Sequence, residues 1–405
     1  MRKWSRVLLA VLLLGASGAA GAQLALPDLG GVVGRVGATL NDAVRPALGT
    51  LRDAATLASD RVSRLQTFVH RNRTSVEFDD ADQPARAGEV LLLDPDAASI
   101  TRAADSGYRL IEQGALDELG VRYARLGTPS GTSLASATRQ LRRLLPDKQI
   151  SADQIHFPGG AVQSAPNNGV ASSSPPRGGT VGIIDGGALP GPRIASQAGF
   201  AAGAPRANGH GQAIASLLAG AGTARIYVAD VYGTDPAGGN ALAIAKALGW
   251  MAAGRVPVVS ISLIGPANPL LERAVAAARA RGMIVAAAVG NDGAAAPLAY
   301  PASYPGVVAV TGVDGHGRVL IEAGRASHLD YAAPGADMTA MGLDGRPQKL
   351  RGTSFAAPLV AARIAALGRA GENPAAALAR ADAEAVQIRG QAGRGVLCGA
   401  CRKGI

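Results

Sequence analysis

Five short apolar runs recur through the second half of this 405-residue chain, separated by stretches with helical spacing. The runs are Val181–Ile184, Ile226–Val231, Val258–Leu263, Met283–Val289 and Val307–Val313. The helical stretches include 210–219, 239–253 and 268–280. Continuous apolar strands that alternate with helices are typical of a parallel sheet, because the crossover helices bury both of its faces. We therefore predict an α/β domain over 180–370.

Composition and charge exclude several classes of protein. Hydrophobic residues make up 48% of the chain, which is too many for a wholly disordered protein. The net charge is +10, but the arginines are scattered and aromatic residues are only 3%, so we interpret the charge as a solvated surface and exclude nucleic acid as a partner. After the N-terminus no apolar run reaches about 18 residues, which excludes a membrane span in the mature chain.

The N-terminus has the pattern of an export signal. Residues 1–6 include the basic Arg2, Lys3 and Arg6, residues 7–14 are apolar, and Ala20-Gly21-Ala22 is a small-residue cleavage site. We predict a cleavable signal peptide over 1–22, a mature chain that starts at Gln23, and a secreted or periplasmic protein. A short uncleaved membrane anchor is the alternative.

Residues 23–85 are predicted to form a helical N-terminal extension. Apolar residues recur there at helical spacing, at Leu40, Val44, Leu48, Leu51, Leu57, Val62, Leu65 and Val69. Pro46 is expected to break or restart the helix. An amphipathic pair of helices that touches a membrane or a partner is one interpretation, and a packed extension is the other.

Residues 86–157 read as a second unit with the order βαββαβ. The predicted elements are a strand over 88–94, a helix over 96–106, strands over 108–113 and 121–126, a helix over 133–145 and a strand over 149–157. This order is the ferredoxin-like plan. The following residues, 158–179, are rich in Pro, Gly, Ser and Asn and predict a mobile, protease-accessible linker.

The C-terminal segment over 371–405 is predicted to contain a short helix, Pro374 to Ala385, and a basic tail. Its Cys398 and Cys401 are the two cysteines of the chain. Two thiols are too few for a four-ligand zinc site, so a local disulfide in an oxidising compartment is the prediction.

Four polar residues follow predicted strands or begin predicted helices. Asp185 ends the first strand and Asn291 follows the fourth, and ligands of open parallel sheets bind at the carboxyl ends of strands. His210 lies between two glycines where a helix starts. Ser354 follows Gly352-Thr353 at the head of an alanine-rich helix, where the positive helix end and free N–H groups favour a nucleophile.

Taken singly, each of these residues also has a purely structural interpretation. Asp185 and Ser354 are candidate helix caps, Asn291 suits a turn, and His210 suits a structural role. Taken together, the order Asp, His, Asn, Ser is that of a subtilisin-type catalytic set.

The chain from about 180 to 368 resembles the subtilases, the subtilisin-like serine proteases. Gly352 to Ala361 reads GTSFAAPLVA and is similar to the nucleophile motif of that family. Tyr300 to Pro305 and Ala333 to Gly335 are also similar to family segments, and 86–157 resembles the family's propeptide. The resemblance implies a subtilisin-like parallel sheet with helices on both faces, preceded by a ferredoxin-like propeptide.

The resemblance also implies a function and a role for each residue of the set. Ser354 is the expected nucleophile, His210 the general base, and Asp185 the residue that orients the imidazole. Asn291 and the Ser354 backbone N–H are the expected oxyanion donors. The expected protein is a serine endopeptidase that forms an acyl-enzyme and is self-processed from a proprotein, with its own propeptide, 86–157, as folding helper and inhibitor.

Substrate-binding residues follow from the same resemblance. The implied set is Ser262, Leu263, Ile264, Gly265, Ala288, Val289, Gly290 and Ala299. The first four belong to a strand that pairs with an extended peptide, and the others surround the residue before the cut. Since none of these residues is charged, we expect an uncharged, apolar residue there.

Two departures from the family pattern leave a rival function open. Gly186-Gly187 stands where the family has Ser/Thr-Gly after the aspartate, and Gln212 to Ala215 differs from the usual Thr-His-Val-Ala. Such changes predict weaker turnover, so a catalytically weak or inactive peptide-binding protein is the alternative. An esterase is disfavoured, because Ser354 lacks the Gly-x-Ser-x-Gly context.

We expect no cofactor for the chemistry. Structural calcium is possible in a chain of this kind, but no clear acidic loop supports it.

Overall fold

The computed structural model describes residues 56–164, 178–388 and 392–404. Three predictions concern residues outside these ranges, namely the signal peptide over 1–22, the helices before residue 56 and the polar centre of the 158–179 linker. Within the described ranges, no helix is long and apolar enough to cross a membrane.

The first described residues, 56–71, form a helix that we label α1. The helical extension predicted over 23–85 is wrong beyond this helix, because Val76–Phe78 form a strand, β1. This strand pairs antiparallel with the start of the next one, from Pro84 to Arg86. A β-branched and an aromatic residue on either side of Glu77 suit a half-buried strand better than a helix.

The N-terminal module consists of β1 and the six elements that follow it. These are β2 (Pro84–Leu93), α2 (Ala97–Asp105), β3 (Arg109–Leu116), β4 (Val121–Gly127), α3 (Leu134–Leu144) and β5 (Ile150–Gln154). The βαββαβ order is the one predicted over 86–157. The strands form an antiparallel sheet in the order β1-β2-β4-β3, with β5 also paired to β2. Asp96 and Ser133 cap the two helices, which cover one face of the sheet.

The chain that leaves the module stays ordered, in contrast to the linker expected from residue 158. Phe157–Pro158 form β6, which pairs antiparallel with β12 (Leu263–Ile264). Ala161–Ser164 form β7, which pairs antiparallel with β17 (Pro347–Arg351). The expectation of a loose segment is therefore wrong for 158–164, because this backbone pairs with two distant strands.

The large sheet is parallel throughout and has seven strands. They are β8 (Thr180–Asp185), β9 (Ile194–Gly199), β10 (Arg225–Asp230), β11 (Val258–Ile261), β13 (Ile284–Ala288), β14 (Val308–Val313) and β15 (Tyr331–Pro334). Their order is β15-β14-β13-β11-β8-β10-β9. All five predicted strands are present, and the two that the sequence did not predict, β9 and β15, lie at the edges. A further short strand, β16 (Met338–Met341), pairs with β17 outside this sheet.

Helices cover both faces of the large sheet, as predicted. They are α4 (Gly209–Gly220), α5 (Ala241–Ala253), α6 (Pro269–Ala280), α7 (Thr353–Leu367) and α8 (Pro374–Glu384). One apolar cluster contains α4, α7 and α8, and a second contains α5 and α6. The N-terminal module contributes Leu91, Leu93 and Tyr123 to the second cluster, so its sheet packs on α5 and α6.

The C-terminal segment packs against the domain instead of leaving it as a tail. Its predicted helix is present as α8, and Val396 pairs with Ala332 beside β15. Cys398 and Cys401 form the predicted disulfide and belong to the same apolar cluster as α7.

Candidate active site

Three side chains from distant parts of the chain form a hydrogen-bonded row. His210 Nδ1 lies 2.9 Å from both carboxylate oxygens of Asp185, and His210 Nε2 lies 3.1 Å from Ser354 Oγ. The Asp185 side chain is fully buried, whereas about a tenth of the His210 side chain is exposed. Such a row can move the hydroxyl proton of a serine onto an imidazole that a buried carboxylate orients.

Short local structures place the acid and the imidazole. Asp185 is the last residue of β8, and its Oδ1 accepts a 2.7 Å hydrogen bond from the N–H of Gly186. Asn208 caps α4 through Gly211 N–H, which puts His210 in the first turn of that helix. The carboxyl end of a strand and the amino end of a helix therefore meet, and the helix-cap interpretation of Asp185 is wrong.

Ser354 lies in the first turn of α7, a helix without a side-chain cap. Gly352 precedes this helix with φ of +141°, and a Cβ there would come within 2.6 Å of Gly160 Cα. Only glycine suits this backbone and this close approach. The N-cap interpretation of Ser354 is therefore wrong, because Gly352 holds the cap position. The first-turn N–H groups of Thr353 and Ser354 donate to Asn291 Oδ1 and Gly159 O.

A proline fixes a second feature of this turn. Pro358 has no N–H to donate to the carbonyl oxygen of Ser354, four residues earlier. Ser262 Oγ donates to that oxygen instead, at 2.7 Å. The hydroxyl of Ser262 thus replaces the missing helical hydrogen bond and links the start of β12 to Ser354.

Asn291 is held by one end of its amide. Its Oδ1 accepts from Thr353 N–H at 3.0 Å, while Thr353 Oγ1 accepts from Gly290 N–H at 3.0 Å. The Nδ2 of Asn291 is buried and has no hydrogen-bond partner among the described residues. A buried, unpaired donor is costly unless something else uses it, so this N–H is available to a group bound in the cleft.

The residues 156–160, which we call the cleft segment, run past these groups as an extended peptide. Gly159 N–H donates to Ser262 O, and Ser354 N–H donates to Gly159 O, each at 3.2 Å. A Cβ on Gly160 would lie 2.1 Å from Ser354 Oγ. The carbonyl of Gly159 therefore points at the first turn of α7, and the Gly159–Gly160 peptide bond lies beside the serine hydroxyl.

His156 anchors the other end of the cleft segment. Its N–H donates to Gly239 O at 2.8 Å, and its carbonyl accepts from Tyr232 OH at 2.6 Å. The imidazole is fully buried against Gly265, and neither ring nitrogen has a hydrogen bond with a described residue. Burial lowers the pKa of His156 from 6.5 to about 4, so the ring is neutral near pH 7.

The predicted substrate-binding residues differ in what they contact. Ser262 bonds the backbone of Gly159, and Leu263 and Ile264 pair with β6. Gly265 contacts the His156 ring, and Gly290 contacts Ile264. Ala288 and Val289 are buried at the end of β13, and Ala299 is buried beside Tyr300, which pairs with Gly265.

The residues at the two departures from the family pattern have defined local contacts. A Cβ on Gly186 would lie 1.8 Å from Asn208 Nδ2, so Asn208 occupies the space where a side chain at 186 would stand. The Oε1 of Gln212 accepts from Leu189 N–H at 2.9 Å, which ties α4 to the loop after Asp185. Within the described ranges, no group of three or more His, Cys, Asp or Glu side chains is arranged to hold a metal ion.

Known proteins resemble this chain in sequence and in fold. The sequence model of the subtilase family matches residues 195–390, which include His210, Asn291 and Ser354. Subtilisin BL of Lederbergia lenta is 32% identical over 218 residues, which cover 50% of this chain and 79% of that protein. The chain belongs to the subtilase family. This places it among the serine-type endopeptidases, which hydrolyse peptide bonds.

Other proteins similar to this subtilase include one further protease sequence and two solved structures. The alkaline protease of Shouchella clausii is 32% identical over 218 residues, and the chain spans 56% of it. Among solved structures, fervidolysin from Fervidobacterium pennivorans has a TM-score of 0.63 at 16% identity, over 79% of this chain and 61% of that one. The leader-peptide-processing protease EpiP from Staphylococcus aureus has a TM-score of 0.58 at 16% identity, over 78% of this chain and 97% of that one. At these identities the two structures support the fold alone.

Sequence reasoning missed several residues around the site of this subtilase. Gly159 and Gly160 were assigned to a loose linker, although a Gly-Gly pair directly after the module marks a place where other backbone can approach closely. The predicted site also omits Thr353 and Asn208. Thr353 contacts Asn291 and Asn208 contacts Gly186. Local sequence patterns do not indicate such contacts.

Proposed function

We propose that this subtilase is an exported endopeptidase that cuts its own chain between Gly159 and Gly160. One observation carries the proposal: the N–H of Ser354 donates to the carbonyl oxygen of Gly159 while its Oγ lies within hydrogen-bond distance of His210. The chain is thus bound across its own serine as an extended substrate.

The first half of the proposed reaction forms the acyl-enzyme. His210 Nε2 takes the Ser354 hydroxyl proton as Oγ bonds to the carbonyl carbon of Gly159. The oxyanion receives the Ser354 N–H and the free Nδ2 of Asn291, and Asp185 stabilises the imidazolium. The C–N bond then breaks, and the amine of Gly160 leaves with the proton from His210.

The second half releases the module. Water loses a proton to His210 and bonds to the acyl carbon of Gly159, and Ser354 recovers its proton as the ester bond breaks. The carboxylate of Gly159 then ends the N-terminal piece, and Gly160 begins the mature chain. Every step uses side chains of this protein, so we propose that the chemistry needs no cofactor.

The N-terminal module has the contacts of an inhibitor that stays bound after the cut. Asp153 Oδ1 accepts from Leu242 N–H, in the first turn of α5, at 3.0 Å. The Nδ2 of Asn268, the cap residue of α6, donates to Ala152 O at 3.0 Å. These contacts, the shared apolar cluster and the pairing of β6 with β12 do not depend on the Gly159–Gly160 bond. We therefore propose that the module helps the domain fold and then blocks the cleft.

Export is proposed from the N-terminal sequence. The basic, apolar and small-residue pattern over 1–22 supports a cleavable signal and a secreted or periplasmic enzyme. The names of the relatives do not decide this point, because they include a minor extracellular protease and a major intracellular serine protease of Bacillus subtilis.

The test is the N-terminal sequence and intact mass of the purified chain. The wild-type protein should yield a fragment that begins at Gly160, and Ser354→Ala should keep residues 159 and 160 joined. The control Ser130→Ala, at an exposed serine of the module, should be cut normally. A first mature residue other than Gly160, or normal cutting of Ser354→Ala, contradicts the proposal.

A second measurement separates an enzyme from an inactive peptide-binding protein. Once the module has left the processed protein, a serine-directed fluorophosphonate should label Ser354, and casein should be digested. We call this module-free form the processed enzyme. Absence of both signals in correctly folded protein would favour the peptide-binding alternative.

A further inference from the structure

Ile264 lies where the side chain of the residue before the cut has to go. A Cβ on Gly159 would lie 2.1 Å from Ile264 Cδ1 and 3.5 Å from Ile264 Cγ1. On the far side, a Cβ on Gly290 would lie 3.3 Å from Ile264 Cγ1 and 3.5 Å from Ile264 Cγ2. The isoleucine therefore fills the space between the bound peptide and Gly290.

The bound backbone cannot move away from this side chain without losing its hydrogen bonds. Gly159 is bonded on one side to Ser262 O and on the other to Ser354 N–H. Residue 264 is equally fixed, because β12 pairs with β6 and Gly265 pairs with Tyr300. Any added group at position 159 therefore meets Ile264 itself.

The expected penalty grows with the size of the added group. Rotation of the Ile264 ethyl group moves Cδ1 and leaves Cγ1 at an ordinary contact distance from a new Cβ, so alanine fits at a modest cost. A leucine or phenylalanine extends beyond Cβ, into the space that Cγ1 and Cγ2 occupy. Branching at Cβ restricts the χ1 angle of Ile264, so Cγ1 and Cγ2 leave this space only at an energetic cost.

We propose that Ile264 closes the pocket for the residue before the cut, so that this subtilase selects glycine there. The inference rests on the proposed cleavage at Gly159–Gly160 and extends it to substrates in general. Its substrate class is extended peptides with glycine before the cut, which is narrower than the apolar preference that the sequence predicts. Ile264 is thus a specificity-determining residue.

The first test uses the chain as its own substrate. Gly159→Phe should block processing, and the second substitution Ile264→Gly should restore it, because the pocket is then open. Gly159→Phe with Ile321→Gly is the matched control, since Ile321 is an exposed isoleucine, and it should stay uncut. Ile264→Ala replaces Ile264→Gly if the glycine variant does not fold. Normal cutting of Gly159→Phe, or no rescue by either folded variant, overturns the proposal.

The second test uses peptides of the sequence Ile-His-Phe-Pro-X-Gly with the processed wild-type enzyme. The kcat/KM for X = Gly should exceed that for alanine by about tenfold and those for leucine and phenylalanine by about a hundredfold or more. Ile264→Val should raise kcat/KM for the alanine peptide only. Ile264→Gly should raise kcat/KM for the phenylalanine peptide by at least about tenfold. Equal rates for glycine and phenylalanine in the wild type contradict the proposal.

Active-site labelling distinguishes this failure from that of the proposed function. If the fluorophosphonate labels Ser354 and casein is digested while large residues are accepted before the cut, only the glycine selection is wrong. If Ser354 is not labelled, both the endopeptidase proposal and the inference fail together.

Discussion

At the scale of single residues, a hydrogen bond joins Ser262, the residue before β12, to Ser354 in the first turn of α7. It exists because Pro358 leaves the carbonyl oxygen of Ser354 without a helical donor. Ser262 therefore has two contacts in the cleft: its carbonyl accepts from Gly159 N–H, and its hydroxyl donates to Ser354 O. One residue thus bonds the cleft segment and also holds the first turn of α7.

Ser262→Ala should lower the free energy of unfolding by about 1–3 kcal/mol, because it leaves a buried carbonyl oxygen without a donor. Denaturant unfolding of the uncut Ser354→Ala chain measures this. Ser260→Ala is the matched control, since its buried hydroxyl has no hydrogen-bond partner among the described residues. It should leave stability unchanged or raise it, and an equal loss in both variants contradicts the explanation.

Asn291→Ala should lower kcat by about 10²–10³-fold with little change in KM, the size of effect known for such a donor in subtilisin. The reason is that Nδ2 has no hydrogen-bond partner among the residues that the structure describes and gains one when the oxyanion forms. Steady-state kinetics on a peptide with glycine before the cut measures this. A raised KM with unchanged kcat would indicate a role in substrate binding instead.

At the scale of elements, β5 and the cleft segment attach the N-terminal module to the domain. Two titratable groups are buried along this stretch. Burial raises the pKa of Asp153 to about 6, although its carboxylate accepts from Leu242 N–H. Burial lowers the pKa of His156 to about 4. The two shifts favour the neutral form of each group, and they have opposite consequences for stability.

The sign for each group follows from which state binds the proton first. His156 has its ordinary pKa of 6.5 when released, so acid protonates the released state first, and docking weakens as the pH falls from 6.5 towards 4. Asp153 has an ordinary pKa of 3.8, so acid protonates the docked state first, and docking strengthens as the pH falls from 6 towards 3.8. In the wild type the two effects oppose each other where their pH ranges overlap.

Asp153→Asn should therefore expose the acid sensitivity of His156. We compare Asp153→Asn with Asp153→Asn/His156→Gln, both in the uncut Ser354→Ala chain. For each variant we take the free energy of unfolding and subtract the value for the double variant from the value for Asp153→Asn. As the pH is lowered from 6.5 to 4, this difference should fall by up to about 1.4 kcal/mol per pH unit. A difference that is constant over this range contradicts a buried, neutral His156.

At the scale of the whole molecule, the N-terminal module and the large sheet share one apolar cluster. Leu91, Leu93 and Tyr123 of the module pack there with residues of α5 and α6. Apolar burial of this kind keeps two pieces together after the bond between them is cut. This shared cluster supports the proposal that the module stays on the domain after the cut.

Leu91→Ala should weaken this attachment, because removal of a buried leucine side chain costs about 2–5 kcal/mol. Casein digestion should then appear earlier after processing than in the wild type. Leu110→Ala, at a leucine of the same sheet that is 43% exposed, should behave like the wild type. The same delay in both variants and the wild type would show that the shared cluster does not hold the module.

The errors of the sequence analysis have physical causes. The edge strand β9, Ile194–Gly199, is partly exposed and lacks an apolar run, so periodicity does not mark it. The run Val258–Leu263 was predicted as one strand, but it divides at Ser262, because Leu263 and Ile264 pair with β6 instead of with the large sheet. In both cases a distant partner decides the structure.

The sequence by itself determined the five inner strands of the parallel sheet, because local periodicity along the chain specifies them. It indicated the four candidate site residues only through their order and the resemblance to the subtilases. Only the tertiary structure decided that Gly159 lies against Ser354 and that Ile264 fills the space beside it. Those contacts join residues about a hundred or more positions apart, and the packing of the whole chain sets their geometry.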